Sequence, residues 1–139
     1  MKKHILLIEN DETKLEFFSD ALEESNLDFV CSRARNVVQA AKILRSVAPD
    51  IIFVGMNLPK LSGLEFLKKI KNMECFKFTP VVLYSSLADQ KAKEAVNCNA
   101  SDYILLPASV ITMAAILKNF FNGVKEVSYS KNIELNFYD

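Results

Sequence analysis

The sequence has no C-x-x-C pair and only one histidine, His4. Its three cysteines, Cys31, Cys75 and Cys98, lie far apart, and with His4 they form no metal-ligand spacing. They read as buried or half-buried free thiols in a reducing compartment. An excess of one charge is also missing. Seventeen Lys and Arg balance seventeen Asp and Glu, which leaves no electrostatic footprint for nucleic acid or an anionic membrane surface. The apolar run after Met-Lys-Lys-His is too short for a signal peptide and far too short to span a bilayer. A soluble cytoplasmic protein is expected, with neither nucleic acid nor membrane as partner. Glycine is scarce, three in all, and no glycine-rich phosphate loop follows the first strand pattern. The segment there, Asn10-Asp11-Glu12-Thr13, is acidic, which disfavours phosphate.

What remains is an ordinary globular composition, half hydrophobic and 24% charged, in 139 residues. That is one domain with room for a real core. The stretch Pro49 to Pro59 organises it. Ile51 to Val54 is wholly apolar, so it reads as a strand buried on both faces of a parallel sheet. Gly55 stands at its carboxyl end, where an open α/β sheet places its ligand crevice.

In chain order, His4–Glu9 is a first buried strand, and Asp11 caps a helix reaching Ser25. Leu15, Phe18 and Leu22 share a face of that helix. Residues Asp28–Arg33 form a shorter, more polar strand nearer an edge. Asn36 caps a helix closed by Pro49, and the central strand follows. Ser62-Gly63-Leu64-Glu65 is a capping box opening a helix to Asn72. Pro80–Ser86 gives a fourth strand, residues 88–97 a polar helix, and Tyr103–Leu106 a fifth strand ended by Pro107. Ser109 caps a last helix to Asn122. Alternating strands and helices predict an α/β, doubly wound parallel sheet with five strands and five helices.

The domain is expected to span residues 1–122, with a tail over 123–139. In the tail Ile133, Leu135 and Phe137 alternate with polar neighbours, which suits a strand or arm; a frayed terminus is the other reading. The last helix is apolar nearly all round, so a second face needs cover, from the tail or from a partner chain.

Several stretches resemble the receiver domain of bacterial response regulators, the CheY-like family. They are Ile5-Leu6-Leu7-Ile8 before an acidic position, Asn57-Leu58-Pro59 with Ser62-Gly63-Leu64-Glu65, Pro80-Val81-Val82-Leu83, and Ala100-Ser101-Asp102-Tyr103-Ile104 before Pro107. The resemblance implies a flavodoxin-like sheet in the order 2-1-3-4-5. It also implies a cis bond at Leu106-Pro107. Receivers accept a phosphoryl group on an aspartate after the third strand, with acidic residues holding a divalent cation, a lysine after the fifth strand, and a hydroxyl after the fourth.

Laid on that pattern, the chain departs at three places. The nucleophile position is Gly55, the acidic pair is Glu9 and Asn10, and the lysine position is Leu106. The hydroxyl is kept as Ser85 and the switch aromatic as Tyr103. Asp50 is no substitute nucleophile, being roughly 16 Å upstream of Gly55 along an extended strand. Asp11 is placed to cap a helix. No residue is therefore assigned a catalytic or metal-binding role, and magnesium binding is not expected. The first reading is a pseudo-receiver: a non-enzymatic two-component (phosphorelay) signalling module with a degenerate phosphorylation site, acting by protein–protein interaction, with a homodimer through the last helix and tail as a secondary expectation. The alternatives are a small-molecule or anion sensor using the vacated crevice, and an unorthodox phosphoacceptor.

Overall fold

The computed structural model describes residues 2–59, 61–85 and 102–123. Their elements are β1 (Lys3–Ile8), α1 (Glu12–Ser25), β2 (Phe29–Ala34), α2 (Val37–Leu44), β3 (Ile51–Gly55), α3 (Gly63–Lys71), a turn of 3₁₀-helix (Glu74–Phe76), β4 (Val81–Ser85), β5 (Asp102–Leu105) and α4 (Val110–Gly123). All strand pairs are parallel, and the order is β2-β1-β3-β4-β5. Both the sheet and its order are as expected. The helix expected over residues 88–97, Ser86, Cys98 and the tail after Gly123 lie outside the described residues, so four α-helices are described rather than five.

The helices begin where side chains satisfy otherwise unpaired N–H groups. Asp11 accepts from Thr13 and Lys14, Asn36 from Gln39, and Ser62 from Glu65. Glu65 in turn takes the Ser62 hydroxyl at 3.3 Å. Helix α2 ends at Leu44, several residues before Pro49. The Leu106–Pro107 bond is trans, so the cis bond implied by the family likeness is not present.

Alternation along the strands divides the core in two. Leu6, Ile8, Ile52, Val54, Val81 and Leu83 face the α2 and α3 layer. Ile5, Leu7, Ile51, Phe53, Val82 and Tyr84 face the α1 and α4 layer. Every residue of β3 is buried, as an apolar run in a central parallel strand requires. Helix α4 packs on α1. Met113, Ala114, Leu117 and Phe121 are buried, and Phe120 meets Phe53 edge-on with ring centroids 5.8 Å apart. Much of the apolar surplus in this helix is thus absorbed inside the domain, while Ile111 stays 70% exposed.

Two close approaches shape the loop after β3. The Met56 N–H donates to the Tyr84 carbonyl at 2.9 Å, and the Gly63 N–H donates to the Met56 carbonyl at 3.1 Å. The start of α3 is thereby drawn against the carboxyl end of β3. A Cβ on Gly63 would lie 2.1 Å from the Gly55 carbonyl oxygen, so only glycine fits.

Candidate functional site

The carboxyl edge of the sheet gathers the expected site residues. Ile8 pairs with Val54, and Gly55 pairs with Tyr84. Glu9, one residue past β1, therefore lies in the row of Gly55 and Tyr84. Alternation puts this row on the α1/α4 face, with Leu106 one residue past β5 on the same face.

Glu9 is 2% exposed, and its carboxylate is surrounded by donors from its own chain. Oε2 accepts the N–H groups of Asn10 at 2.9 Å and Asp11 at 3.0 Å. Oε1 accepts the Tyr84 hydroxyl at 2.6 Å. These three bonds use most of the roughly four acceptor directions of a carboxylate, and they are what makes a buried charge tolerable. Tyr84 is 1% exposed, and its ring packs on Phe18 with centroids 4.8 Å apart. Burial, together with the charge of Glu9 and the hydrogen bond to it, pushes the Tyr84 phenol well above the ordinary tyrosine range.

Gly55 ends β3 beside this pair. A Cβ built there would stand 3.0 Å from Glu9 Oε1 and 3.4 Å from the Tyr84 hydroxyl. Asn10 is exposed at the rim. Leu106 is half-buried and packs against the cluster containing Tyr84, Phe18 and Leu15. Its N–H donates to the Ser85 carbonyl at 2.8 Å. The buried Ser85 faces the opposite layer, where its hydroxyl and that of Tyr103 are hydrogen-bonded to each other. Tyr103 packs against the α2/α3 core.

The remaining candidates fall elsewhere. Asp11 caps α1. Asp50 lies at the amino edge of the sheet, where its carboxylate accepts the His4 N–H at 2.7 Å. His4 is the second residue of β1, with Nε2 2.8 Å from the Ser32 hydroxyl. Cys31 and Cys75 are free, half-buried thiols, each held above its usual range chiefly by burial. The residue that sequence reasoning missed is Tyr84. Its signal was present: a tyrosine inside an otherwise apolar strand needs a partner for its hydroxyl.

Residues 5–118 match the response regulator receiver domain. The chain belongs to this family. As a receiver it is a signalling module of the two-component type. It is 29% identical over 123 residues to the polar-differentiation response regulator DivK of Brucella anthropi, covering 86% of this chain and 97% of that one. It is 28% identical over 125 residues to a response regulatory protein of Vibrio cholerae, covering 90% of this receiver but only 51% of that longer protein. Among solved structures, the phosphorylated cyanobacterial phytochrome response regulator RcpA superposes with a TM-score of 0.77 at 26% identity, covering 86% of this receiver and 91% of RcpA. The Mn²⁺-bound form of response regulator Rcp1 shares the fold, with a TM-score of 0.75 at 21% identity over 92% of this receiver and 99% of that chain. Among the described residues of this receiver, no helix is long and apolar enough to cross a membrane.

Proposed function

We propose that this receiver signals without phosphoryl transfer, as a pseudo-receiver that acts by binding a protein partner in the cytoplasm and has no enzymatic role. The observation that carries this is the internal engagement of both Glu9 carboxylate oxygens. A magnesium-binding acid needs free oxygen lone pairs aimed at the crevice, whereas Glu9 spends most of its own on two backbone N–H groups and the Tyr84 phenol. Gly55 offers no nucleophile, Asn10 offers an exposed amide, and Leu106 offers methyl groups where a cation would neutralise phosphoryl oxygens. These residues do not fit a divalent cation.

The partner surface on this reading includes β5 and α4. Leu105 is 51% exposed and Ile111 70% exposed, an apolar presentation that suits a protein better than a nucleic acid. The same surface would serve a homodimer. Ser85 and Tyr103, bonded to each other, hold one arrangement of the switch residues, and a partner with different affinity for two arrangements could bias it.

The test combines two measurements on the wild-type chain. Acetyl phosphate with Mg²⁺ is followed by intact mass, and Mg²⁺ with beryllofluoride by amide shifts at Glu9, Asn10, Gly55, Ser85 and Leu106. No mass increase and no shifts at millimolar metal are expected. Saturable shifts clustered at those five positions would sink the reading and favour an ion or anion sensor. A stable phosphoryl adduct would favour an unorthodox phosphoacceptor.

A further inference from the structure

We propose that Tyr84 is the resident occupant of the vacated crevice: its phenol, docked on Glu9 beside Gly55, plugs the site against cations and small anions. This rests on reading Gly55 as the nucleophile position, and it adds that the site is filled rather than empty. Gly55 and Tyr84 are register partners on adjacent strands, and both lie in the row of Glu9. The ring of Tyr84 is fixed by Phe18, so its hydroxyl is aimed along the row and not into solvent. It stops 2.6 Å from Glu9 Oε1, in the space a side chain at position 55 would enter.

The pair cannot easily give way. A Cβ 3.0 Å from Glu9 Oε1 would be tolerated if that oxygen could swing aside. Oε1 is held by the phenol, and Oε2 by two backbone N–H groups. Gly55 is thus the space the plug requires. Leu106 completes the arrangement by packing on the cluster that holds Tyr84. Restoring a carboxylate at position 55 alone would press a second anion against Glu9 while the phenol still holds Oε1. It would not by itself rebuild an ion site.

A double-mutant cycle on the full chain tests the plug. Gly55→Ala is expected to raise the unfolding equilibrium constant by about tenfold in the wild type, the scale of mild overpacking. In a Tyr84→Phe background, where the hydroxyl's volume is free for Glu9, the same change is expected to cost about twofold or less. The intrinsic backbone effect of replacing glycine cancels in the cycle. Equal effects in both backgrounds overturn the proposal. A second arm titrates Mg²⁺ alone into Gly55→Asp and into Gly55→Asp with Tyr84→Val, reading amide shifts at Glu9 and position 55. The double variant should bind at least about tenfold more tightly, the loss of one good steric and electrostatic obstacle. Equal binding, or none in either, overturns the plug. A response of the wild type to Mg²⁺ with beryllofluoride would instead overturn the phosphorylation-independent reading, so the two failures are separable.

Discussion

Gly63, the first residue of α3, sits directly on the backbone of Gly55, the last residue of β3. An added Cβ would come within 2.1 Å of the Gly55 oxygen and 2.9 Å of its carbonyl carbon. Both obstacles are backbone, so no rotamer change relieves them. Gly63 does not have positive φ, so the demand is for space and not for a left-handed conformation. Gly63→Ala should destabilise the fold by about 3 kcal/mol, the upper range of overpacking. A urea melt reads this as a lower midpoint at unchanged slope. An unchanged midpoint would mean that α3 docks differently against β3.

Tyr84→Phe removes the hydroxyl donor from a buried carboxylate. The expected loss is about 2 kcal/mol, in the range for hydrogen bonds to charged groups. The pH dependence is more diagnostic. The folded phenol titrates well above its ordinary range. Below about pH 10 it is protonated in both folded and unfolded chains, and its contribution is complete. Above about pH 10 the unfolded chain releases this proton first, so the unfolded state binds fewer protons and stability falls. The decline from this one group is up to about 1.4 kcal/mol per pH unit. Other alkaline groups act in both proteins. The wild-type advantage over Tyr84→Phe should therefore shrink as pH rises past about 10. An advantage constant to high alkalinity would mean that Tyr84 is not buried against Glu9.

The fold was legible because its signals are local. Ile51–Val54 is apolar throughout and is buried throughout. Asp11, Asn36 and Ser62 were readable as caps and act as caps. The polar second strand was placed near an edge and is an edge strand. The inside of the site was less legible because it depends on the register between neighbouring strands, which their order alone does not give. Glu9, Gly55 and Tyr84 meet only once β3 is set between β1 and β4 with Gly55 opposite Tyr84. The expected order 2-1-3-4-5 already made these strands neighbours, and alternation with the register of Gly55 opposite Tyr84 puts all three on one face. Reading Tyr84 simply as strand hid it. In the apolar last helix, α1 and Phe53 take up much of the pattern while Ile111 stays exposed, and the tail expected to cover it lies outside the described residues.

Asp11 separates two roles that a carboxylate near the crevice could have. Its Oδ1 accepts the Thr13 N–H at 2.8 Å and the Lys14 N–H at 3.4 Å, as an N-cap does. Asp11→Ala should cost about 1 kcal/mol, while Asp11→Asn, an equally good cap, should stay within about 0.5 kcal/mol of wild type. Thermal melts of the three proteins at one pH suffice. If the asparagine variant fell as far as the alanine variant, the charge and not the cap geometry would be the contribution of Asp11.

Thr79 offers a change in the opposite direction. It is fully buried just before β4, and among the described residues its hydroxyl has no hydrogen-bond partner. Its backbone is satisfied, since the N–H donates to the Phe76 carbonyl and the carbonyl accepts from Lys71 Nζ. The unpaired hydroxyl therefore costs its desolvation with nothing in return. Thr79→Val keeps the branched shape that suits an extended segment and deletes only the polar group. A gain of about 1 kcal/mol is expected. Thr79→Ser makes the complementary cut, keeping the hydroxyl and losing the methyl, and should reduce stability by about 1 kcal/mol as a small void opens. The two variants shifting the urea midpoint in opposite directions would establish that the methyl, not the hydroxyl, is what this position contributes. If valine lowered the midpoint as well, the hydroxyl would have to be making a bond in solution.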